Sequence, residues 1–187
     1  MRAIVHAVNR GLLRASVNVC ISNNSSSDAL AFARENRIPA YHISSKTDPG
    51  NEDRRIRDVL LGHRVDLVIL SGYMKKLGPA TLDAYRGRIL NIHPALLPKY
   101  GGQGMYGRHV HERVLASGEK NTGATVHFVN EEYDEGRIVG QRTVPVHEAD
   151  TADTLAERVK ACEGELIVDV IGEIIDGRIA IPDRVDA

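Results

Sequence analysis

The sequence predicts an α/β protein whose mostly parallel, twisted sheet has helices on both faces. Short apolar runs rich in β-branched residues alternate with longer segments in which apolar residues recur every three or four positions. The run at residues 66–70 has no polar alternation, as in a parallel strand covered on both faces. Residues 151–175 carry one continuous apolar stripe, which predicts a long helix packed on the sheet.

The predicted elements follow in chain order, with turn-forming residues between them. Gly11 lies where the first helix would stop, and Asp28 can cap the second. We place the strand at residues 66–70 at the centre of the sheet and pair the last two strands antiparallel. The predicted helices are 2–10, 28–37, 53–63, 109–116 and 151–175, and the predicted strands are 17–21, 41–43, 66–70, 89–93, 125–129 and 137–146.

Length and charge limit the classes of function. The 187 residues suit one domain, residues 1–187. With 24 Lys and Arg against 25 Asp and Glu, no broad positive field favours a nucleic acid or membrane partner. Cys20 and Cys162 are far apart, so we expect both to be reduced and buried. The amino terminus lacks the apolar run of a signal peptide, which predicts a cytoplasmic protein.

A polar pair ends one predicted strand. Asn91 and His93 are two residues apart, so an extended backbone projects both side chains to the same face. Pro94 holds His93 extended, and Pro98 stiffens the segment that follows. An amide donor beside an imidazole suits acyl transfer, in which negative charge develops on a carbonyl oxygen. From these residues alone, the favoured interpretation of His93 is an ordinary polar residue at a strand end, because most histidines are not catalytic.

Two further features of the sequence bear on ligand binding. His109 and His111 resemble a metal pair, but a spacing of two in a helix points them to different faces, so we predict no metal site. The glycine-rich residues 101–107 do not follow a strand as a nucleotide loop would. We interpret this segment as a mobile flap over the polar pair.

Three segments together resemble the folate-dependent formyltransferases. They are residues 91–100 (NIHPALLPKY), 123–129 (GATVHFV) and 132–136 (EYDEG), and their order and spacing agree with that family. The resemblance runs from Met1 to about Ile181 and implies a Rossmann-like fold. Because the family opens with a strand and a phosphate-binding loop that align before Met1, we expect this chain to lack the family's first strand, with weaker phosphate binding.

The resemblance implies a catalytic set of Asn91, His93 and Asp134. Asn91 and His93 would stabilise the tetrahedral adduct formed when an amine attacks the formyl carbon of 10-formyltetrahydrofolate, the expected co-substrate. Asp134 would pair with His93 and favour its imidazolium form. His127 also occupies a family position, and a site role or a buried structural role remains open for it. No metal is expected.

The resemblance also implies binding residues. The loop after the apolar strand would hold the folate, with Met74, Lys75, Lys76 and Leu77 beside Asn91. On the last helix, Lys160 would lie near the phosphate and Glu163 near the ribose hydroxyls of glycinamide ribonucleotide.

The expected function is formyl transfer to glycinamide ribonucleotide in purine synthesis. We therefore expect neither the added nucleic-acid-binding domain of methionyl-tRNA formyltransferase nor the regulatory domain of formyltetrahydrofolate hydrolase. Two alternatives remain: a folate-binding remnant without catalysis, and a formyltransferase for an amino sugar nucleotide. The sequence leaves the oligomeric state open.

Overall fold

The computed structural model describes residues 1–182, so residues 183–187 of the predicted domain lie outside the described range. Twelve elements follow one another within these residues. They are α1 (Arg2–Asn9), β1 (Cys20–Ser22), α2 (Asp28–Glu35), β2 (Ala40–His42), α3 (Glu52–Gly62), β3 (Val68–Ser71), α4 (Pro79–Ala84), β4 (Ile89–His93), α5 (Arg108–Ala116), β5 (Asn121–Phe128), β6 (Ile138–Pro145) and α6 (Ala152–Ile175).

The strands form two sheets. β1 and β2 pair parallel in one, and the other has the order β3-β4-β5-β6. β3 and β4 are parallel, whereas β5 pairs antiparallel with β4 and with β6. The antiparallel pairing of the last two strands is therefore confirmed.

The central position predicted for the apolar strand is wrong. β3 is one of the two edge strands of the four-stranded sheet. Its run of consecutive apolar residues indicates that both faces of the strand are covered. Such a run does not show which backbone edges are paired with other strands.

Helices cover both faces of the four-stranded sheet. On one face, α1 and α6 pack on alternate residues of β4 and β5, including Leu90, Ile92 and Val126. On the other face, α3 and α4 enclose a second apolar cluster with Ile89 and the buried Tyr85. The predicted fold class, an α/β protein with a layer of helices on each face, is confirmed.

Two details refine the helix predictions. The sequence analysis missed α4, a six-residue helix that begins with Pro79. The first amides of α4 have a partner that is remote in sequence, because the Asp53 carboxylate accepts hydrogen bonds from Ala80 N and Thr81 N at 2.7 and 3.0 Å.

Both cysteines are buried, as predicted. Across residues 1–182, every helix is too short or too polar to span a bilayer.

The long helix α6 begins with a reciprocal cap. The Thr151 hydroxyl accepts from Thr154 N at 3.2 Å, and the Thr154 hydroxyl accepts from Thr151 N at 3.0 Å. This capping box satisfies two amides that would otherwise lack a partner at the start of the helix.

We predict that Thr151→Ala lowers the free energy of unfolding by about 1 kcal/mol, because the N-terminal amide of α6 loses its acceptor. Thr151→Ser keeps the hydroxyl and is the matched control. Urea denaturation followed by circular dichroism measures both. Equal stability of the two variants would show that the cap contributes nothing to the fold.

Candidate active site

The pairing of β4 with β5 assembles one polar face. Asn91 lies opposite His127, and His93 lies opposite Thr125. The residues between them on both strands face α6 and the main apolar core. Because side chains alternate along a strand, the same register that buries the apolar residues places these four polar side chains together on the opposite face.

The turn after His93 is held by buried hydrogen bonds. The Thr125 hydroxyl donates to Ala95 O at 2.7 Å and accepts from Leu97 N at 3.0 Å. Gln141 Nε2 donates to Leu97 O at 2.9 Å and to the Thr125 hydroxyl at the same distance. Two strands, β5 through Thr125 and β6 through Gln141, therefore fix the backbone beyond His93.

Asp134 lies on the loop between β5 and β6, in a left-handed conformation with φ of 57°. Its Oδ1 is 3.4 Å from Asn91 Nδ2 and 3.4 Å from His127 Nε2. Its Oδ2 is 3.5 Å from His93 Nδ1. The structure thus brings together all three residues of the expected catalytic set, with His127 as a fourth member of the cluster.

A glycine holds this loop in place. A Cβ atom on Gly136 would lie 1.7 Å from Phe128 O, so only glycine allows the loop to approach the end of β5 so closely. Asp134 is two residues away, and aspartate is one of the few residues that tolerate its left-handed conformation. The position of the carboxylate therefore depends on backbone contacts at both residues.

Tyr100 and the start of the glycine-rich segment, Gly101 and Gly102, cover the cluster. Tyr100 O is 2.7 Å from His93 Nε2, and Gly102 N donates to Asp134 Oδ2 at 2.9 Å. A Cβ atom on Gly101 would lie 2.5 Å from Leu97 Cδ2. As a result His93 is only 3% exposed. The segment occupies the position of a closed flap. A substrate reaches His93 only if this segment moves away.

The contact with Tyr100 fixes the tautomer of His93. A carbonyl oxygen only accepts, so Nε2 carries the ring hydrogen and Nδ1 is the basic nitrogen of the neutral ring. Burial lowers the pKa of His93, and although Asp134 and Tyr100 O raise it, the net pKa lies below the ordinary value of 6.5. The expected imidazolium is thus not the resting form at neutral pH, because desolvation outweighs the attraction to the carboxylate.

Asp134 is a carboxylate in this setting. Burial alone raises its pKa, but contact with His127, the charge of His93 and the Gly102 amide together bring the net pKa below the ordinary value of 3.8. A fixed negative charge therefore faces His93 Nδ1. It stabilises a proton arriving at that nitrogen without holding one in the resting state.

His127 combines the two roles left open for it. The ring is 2% exposed, and in its neutral form Nδ1 donates to Phe128 O at 2.9 Å. That bond leaves Nε2 to accept from Asn91 Nδ2 at 3.1 Å. His127 is therefore a buried residue satisfied by backbone, and it also orients the Asn91 amide.

The expected folate-binding residues divide into two groups. Met74, Lys75 and Lys76 are exposed on the loop after β3, and Lys76 Nζ lies 5.5 Å from the centre of the Tyr133 ring, next to Asp134. Leu77 is instead buried in the apolar cluster under α3 and α4. Its assignment to the folate pocket is not favoured, because the loop has already turned into the core at this position.

The expected ribonucleotide-binding residues lie on α6. Lys160 is exposed, and Glu163 is half-buried one helical turn later. Burial raises the pKa of Glu163 to about 7, although Lys160 and the Met1 amino group lower it. Glu163 is consequently a carboxyl group that changes charge near neutral pH.

Sequence reasoning missed the backbone groups of the site. Tyr100 contributes its carbonyl, Gly102 its amide, and Gly136 only the absence of a side chain. Backbone contacts leave no chemical signature in a single sequence. The density of glycine in residues 101–107 was the one available signal.

Comparison with known proteins places these motifs in a family. The family model described as formyl transferase matches residues 1–171. The phosphoribosylglycinamide formyltransferase of Haemophilus influenzae is 36% identical over 98% of this chain and 85% of its own length. The chloroplastic phosphoribosylglycinamide formyltransferase of Arabidopsis thaliana is 42% identical over 95% of this chain. The chain spans 62% of the length of that plant relative.

A solved structure agrees with these sequence matches. Glycinamide ribonucleotide transformylase 1 from Symbiobacterium toebii superposes with a TM-score of 0.89 at 35% identity, over 98% of this chain and 85% of the other. The family match, the extent of sequence identity and the shared fold all lead to one assignment: the chain belongs to the formyl transferase family.

Proposed function

We propose that the protein transfers the formyl group of 10-formyltetrahydrofolate to the amine of glycinamide ribonucleotide, as a step of purine synthesis. The observation that carries the proposal is the convergence of Asn91, His93 and Asp134 within 3.5 Å contacts on a rigid strand pair. Relatives named for this activity, at 34 to 42% identity, support the same substrates. We further propose that residues 1–187 form one domain that needs no metal and works in the cytoplasm, in keeping with its buried free cysteines.

The chemistry follows from the protonation states. When the amine attacks the formyl carbon, its nitrogen becomes cationic and the former carbonyl oxygen becomes an oxyanion. Neutral His93 accepts a proton from that nitrogen at Nδ1, and the resulting imidazolium is stabilised by Asp134 at 3.5 Å. As the bond between carbon and folate nitrogen breaks, the same proton passes to the departing nitrogen. The enzyme thereby returns to its starting state.

Asn91 stabilises the oxyanion. One hydrogen of its amide points to His127 Nε2 at 3.1 Å, which fixes the orientation of the group. The contact from Nδ2 to Asp134 Oδ1 is longer, at 3.4 Å, and is weak enough for a substrate oxygen to replace it. A preorganised donor in a water-excluded site stabilises developing charge far more than the same donor in water.

This arrangement favours catalysis over the alternative of a folate-binding remnant. Binding a folate requires no buried imidazole with a fixed tautomer and no carboxylate in a left-handed turn. Both features cost free energy of folding, and both are explained by proton transfer.

We predict that His93→Ala and Asp134→Asn each lower kcat/KM by about 10²–10⁴-fold, because each removes part of the proton-transfer pair. Asn is chosen at position 134 since it tolerates the left-handed backbone and removes only the charge. The assay follows formation of the folate product with glycinamide ribonucleotide as acceptor. His109→Ala, an exposed histidine on α5, is the matched control and keeps normal turnover. Normal turnover of His93→Ala would refute the assigned roles.

We predict a pH profile set by His93. Because its pKa lies below 6.5 and the neutral ring is the reactive form, kcat at saturating glycinamide ribonucleotide stays level above neutral pH and falls as pH drops through the pKa of His93. In Asp134→Asn the pKa of His93 falls further, since the carboxylate raises it. NMR titration of the imidazole in the free protein measures both values. A pKa of His93 that rises in Asp134→Asn contradicts the electrostatic pairing.

We predict that ionisation of Glu163 strengthens ribonucleotide binding, because the carboxylate is the better acceptor for ribose hydroxyls. With a pKa of about 7, KM for glycinamide ribonucleotide decreases as pH rises through neutrality. Glu163→Gln removes this dependence. Glu165→Gln, an exposed neighbour paired with Arg142, retains it. A pH dependence that survives in Glu163→Gln would assign it to another group.

A further inference from the structure

Tyr100 has a backbone conformation that residues with bulky side chains rarely adopt. Its φ is 58°, in the left-handed region, where a residue with a Cβ atom is strained. In this conformation its carbonyl oxygen lies 2.7 Å from His93 Nε2. A strained backbone persists only when the surrounding contacts hold it in place. The contacts that hold Tyr100 therefore also hold the hydrogen-bond acceptor of His93.

The side chain of Tyr100 is fixed at two points. Its ring packs against an apolar cluster formed by Val114 of α5 with Leu155 and Val159 of α6. Its hydroxyl donates a hydrogen bond to Glu119 Oε1 at 2.9 Å. Apolar packing has no preferred direction, whereas a hydrogen bond fixes the position of the atoms that it joins. The bond to Glu119 therefore determines where the end of the side chain lies.

Glu119 is itself held by the backbone on either side of it, in the turn between α5 and β5. Gly118, with a left-handed φ of 65°, ends the helix, and its amide donates to Leu115 O at 3.1 Å. On the other side, Lys120 O accepts from Val146 N at 2.9 Å. Both sequence neighbours of Glu119 are thus fixed, and its carboxylate is a firm anchor.

Glu119 is negatively charged at neutral pH. Its Oε1 also accepts a hydrogen bond from Lys99 Nζ at 3.0 Å. Contacts with Lys99 and Tyr100 lower the pKa of the Glu119 carboxyl group below the ordinary value of 4.5. A hydroxyl forms a stronger bond with a carboxylate than with a neutral acceptor. Because the Lys99 side chain is largely exposed, its ion pair adds little, and the bond from Tyr100 is the more important contact.

Two acceptors compete for the one ring hydrogen of neutral His93. Tyr100 O lies 2.7 Å from Nε2, and Asp134 Oδ2 lies 3.5 Å from Nδ1. If the Tyr100 carbonyl moved away, the carboxylate would draw the hydrogen to Nδ1, since the bond at one ring nitrogen decides the state of the other. Nδ1 would then donate to Asp134 and could no longer accept a proton from an amine.

The flap can open without releasing Tyr100. The Gly102 amide donates to Asp134 Oδ2, the same oxygen that faces His93 Nδ1. Tyr100 O contacts the other ring nitrogen, Nε2. Movement of the glycine-rich segment therefore uncovers the carboxylate and the basic nitrogen, while the anchored Tyr100 stays on His93.

We propose that Glu119 is a positioning residue: through the Tyr100 hydroxyl, its carboxylate holds the Tyr100 carbonyl on His93 Nε2 and so keeps Nδ1 free to accept a proton. This inference deepens the proposed function, because it rests on the role of His93 as the base. The arrangement exists in the free protein, so the tautomer of His93 is measurable without any substrate.

The test compares Glu119→Ala with Glu119→Gln in the 187-residue chain. The amide oxygen of glutamine still accepts from the Tyr100 hydroxyl, whereas alanine offers no acceptor. Nitrogen NMR of isotopically labelled histidine, recorded above neutral pH, shows which ring nitrogen of His93 carries the hydrogen. We expect it on Nε2 in the parent chain and in Glu119→Gln. In Glu119→Ala and in Tyr100→Phe, we expect it to shift to Nδ1.

The loss of the anchor lowers kcat and leaves KM unchanged for both substrates, because the anchor holds the base and not a substrate. We expect kcat to fall about 10-fold in Glu119→Ala and Tyr100→Phe, less than on removal of a general base. Glu119→Gln restores most of this loss. Glu112→Ala, the same substitution at an exposed glutamate of α5, is the matched control and retains the parent kcat and tautomer. Circular dichroism verifies that every variant is folded.

Two results would overturn the inference. A ring hydrogen that stays on Nε2 in both Glu119→Ala and Tyr100→Phe shows that the anchor does not set the tautomer. A loss of activity that appears in KM alone assigns Glu119 to substrate binding. A parent chain with the expected tautomers that does not formylate glycinamide ribonucleotide would refute the proposed function, while the positioning of His93 by Glu119 would be supported.

Discussion

The register between β4 and β5 is the constraint on which the site depends. A shift of one residue would turn Asn91 and His93 toward α6 and expose Leu90 and Ile92 in their place. The burial of those apolar side chains therefore fixes the position of the amide and the imidazole. The core that stabilises the sheet and the polar face proposed to carry the chemistry are two sides of one pairing.

The protonation states of His93 and Asp134 depend on their burial beneath the flap. The flap excludes water from His93, and the resulting desolvation keeps the ring neutral despite a carboxylate 3.5 Å away. Despite its burial, Asp134 remains charged, because contacts that include the Gly102 amide bring its pKa below the ordinary value. The site rests with an unprotonated Nδ1 of His93 facing a carboxylate, which suits the proposed reaction, in which the amine loses a proton after it has attacked the formyl carbon.

The sequence predicted much of this arrangement, and its failures have physical causes. Asn91 and His93 were found because strand spacing places them on one face, and Asp134 because its segment matches a family motif. The edge position of β3 was missed, since hydrophobicity reports burial of faces and not pairing of edges. The neutral state of His93 was also missed, because the extent of burial depends on a flap whose contacts are made by backbone atoms.

The central claim is that His93 and Asp134 act as one proton-transfer unit, and a double-mutant cycle on kcat/KM tests it most directly. If they act together, His93→Ala combined with Asp134→Ala is no more damaging than the worse single variant, because either change already disables the pair. If the two losses multiply, the residues act independently, and the account given for this site is wrong.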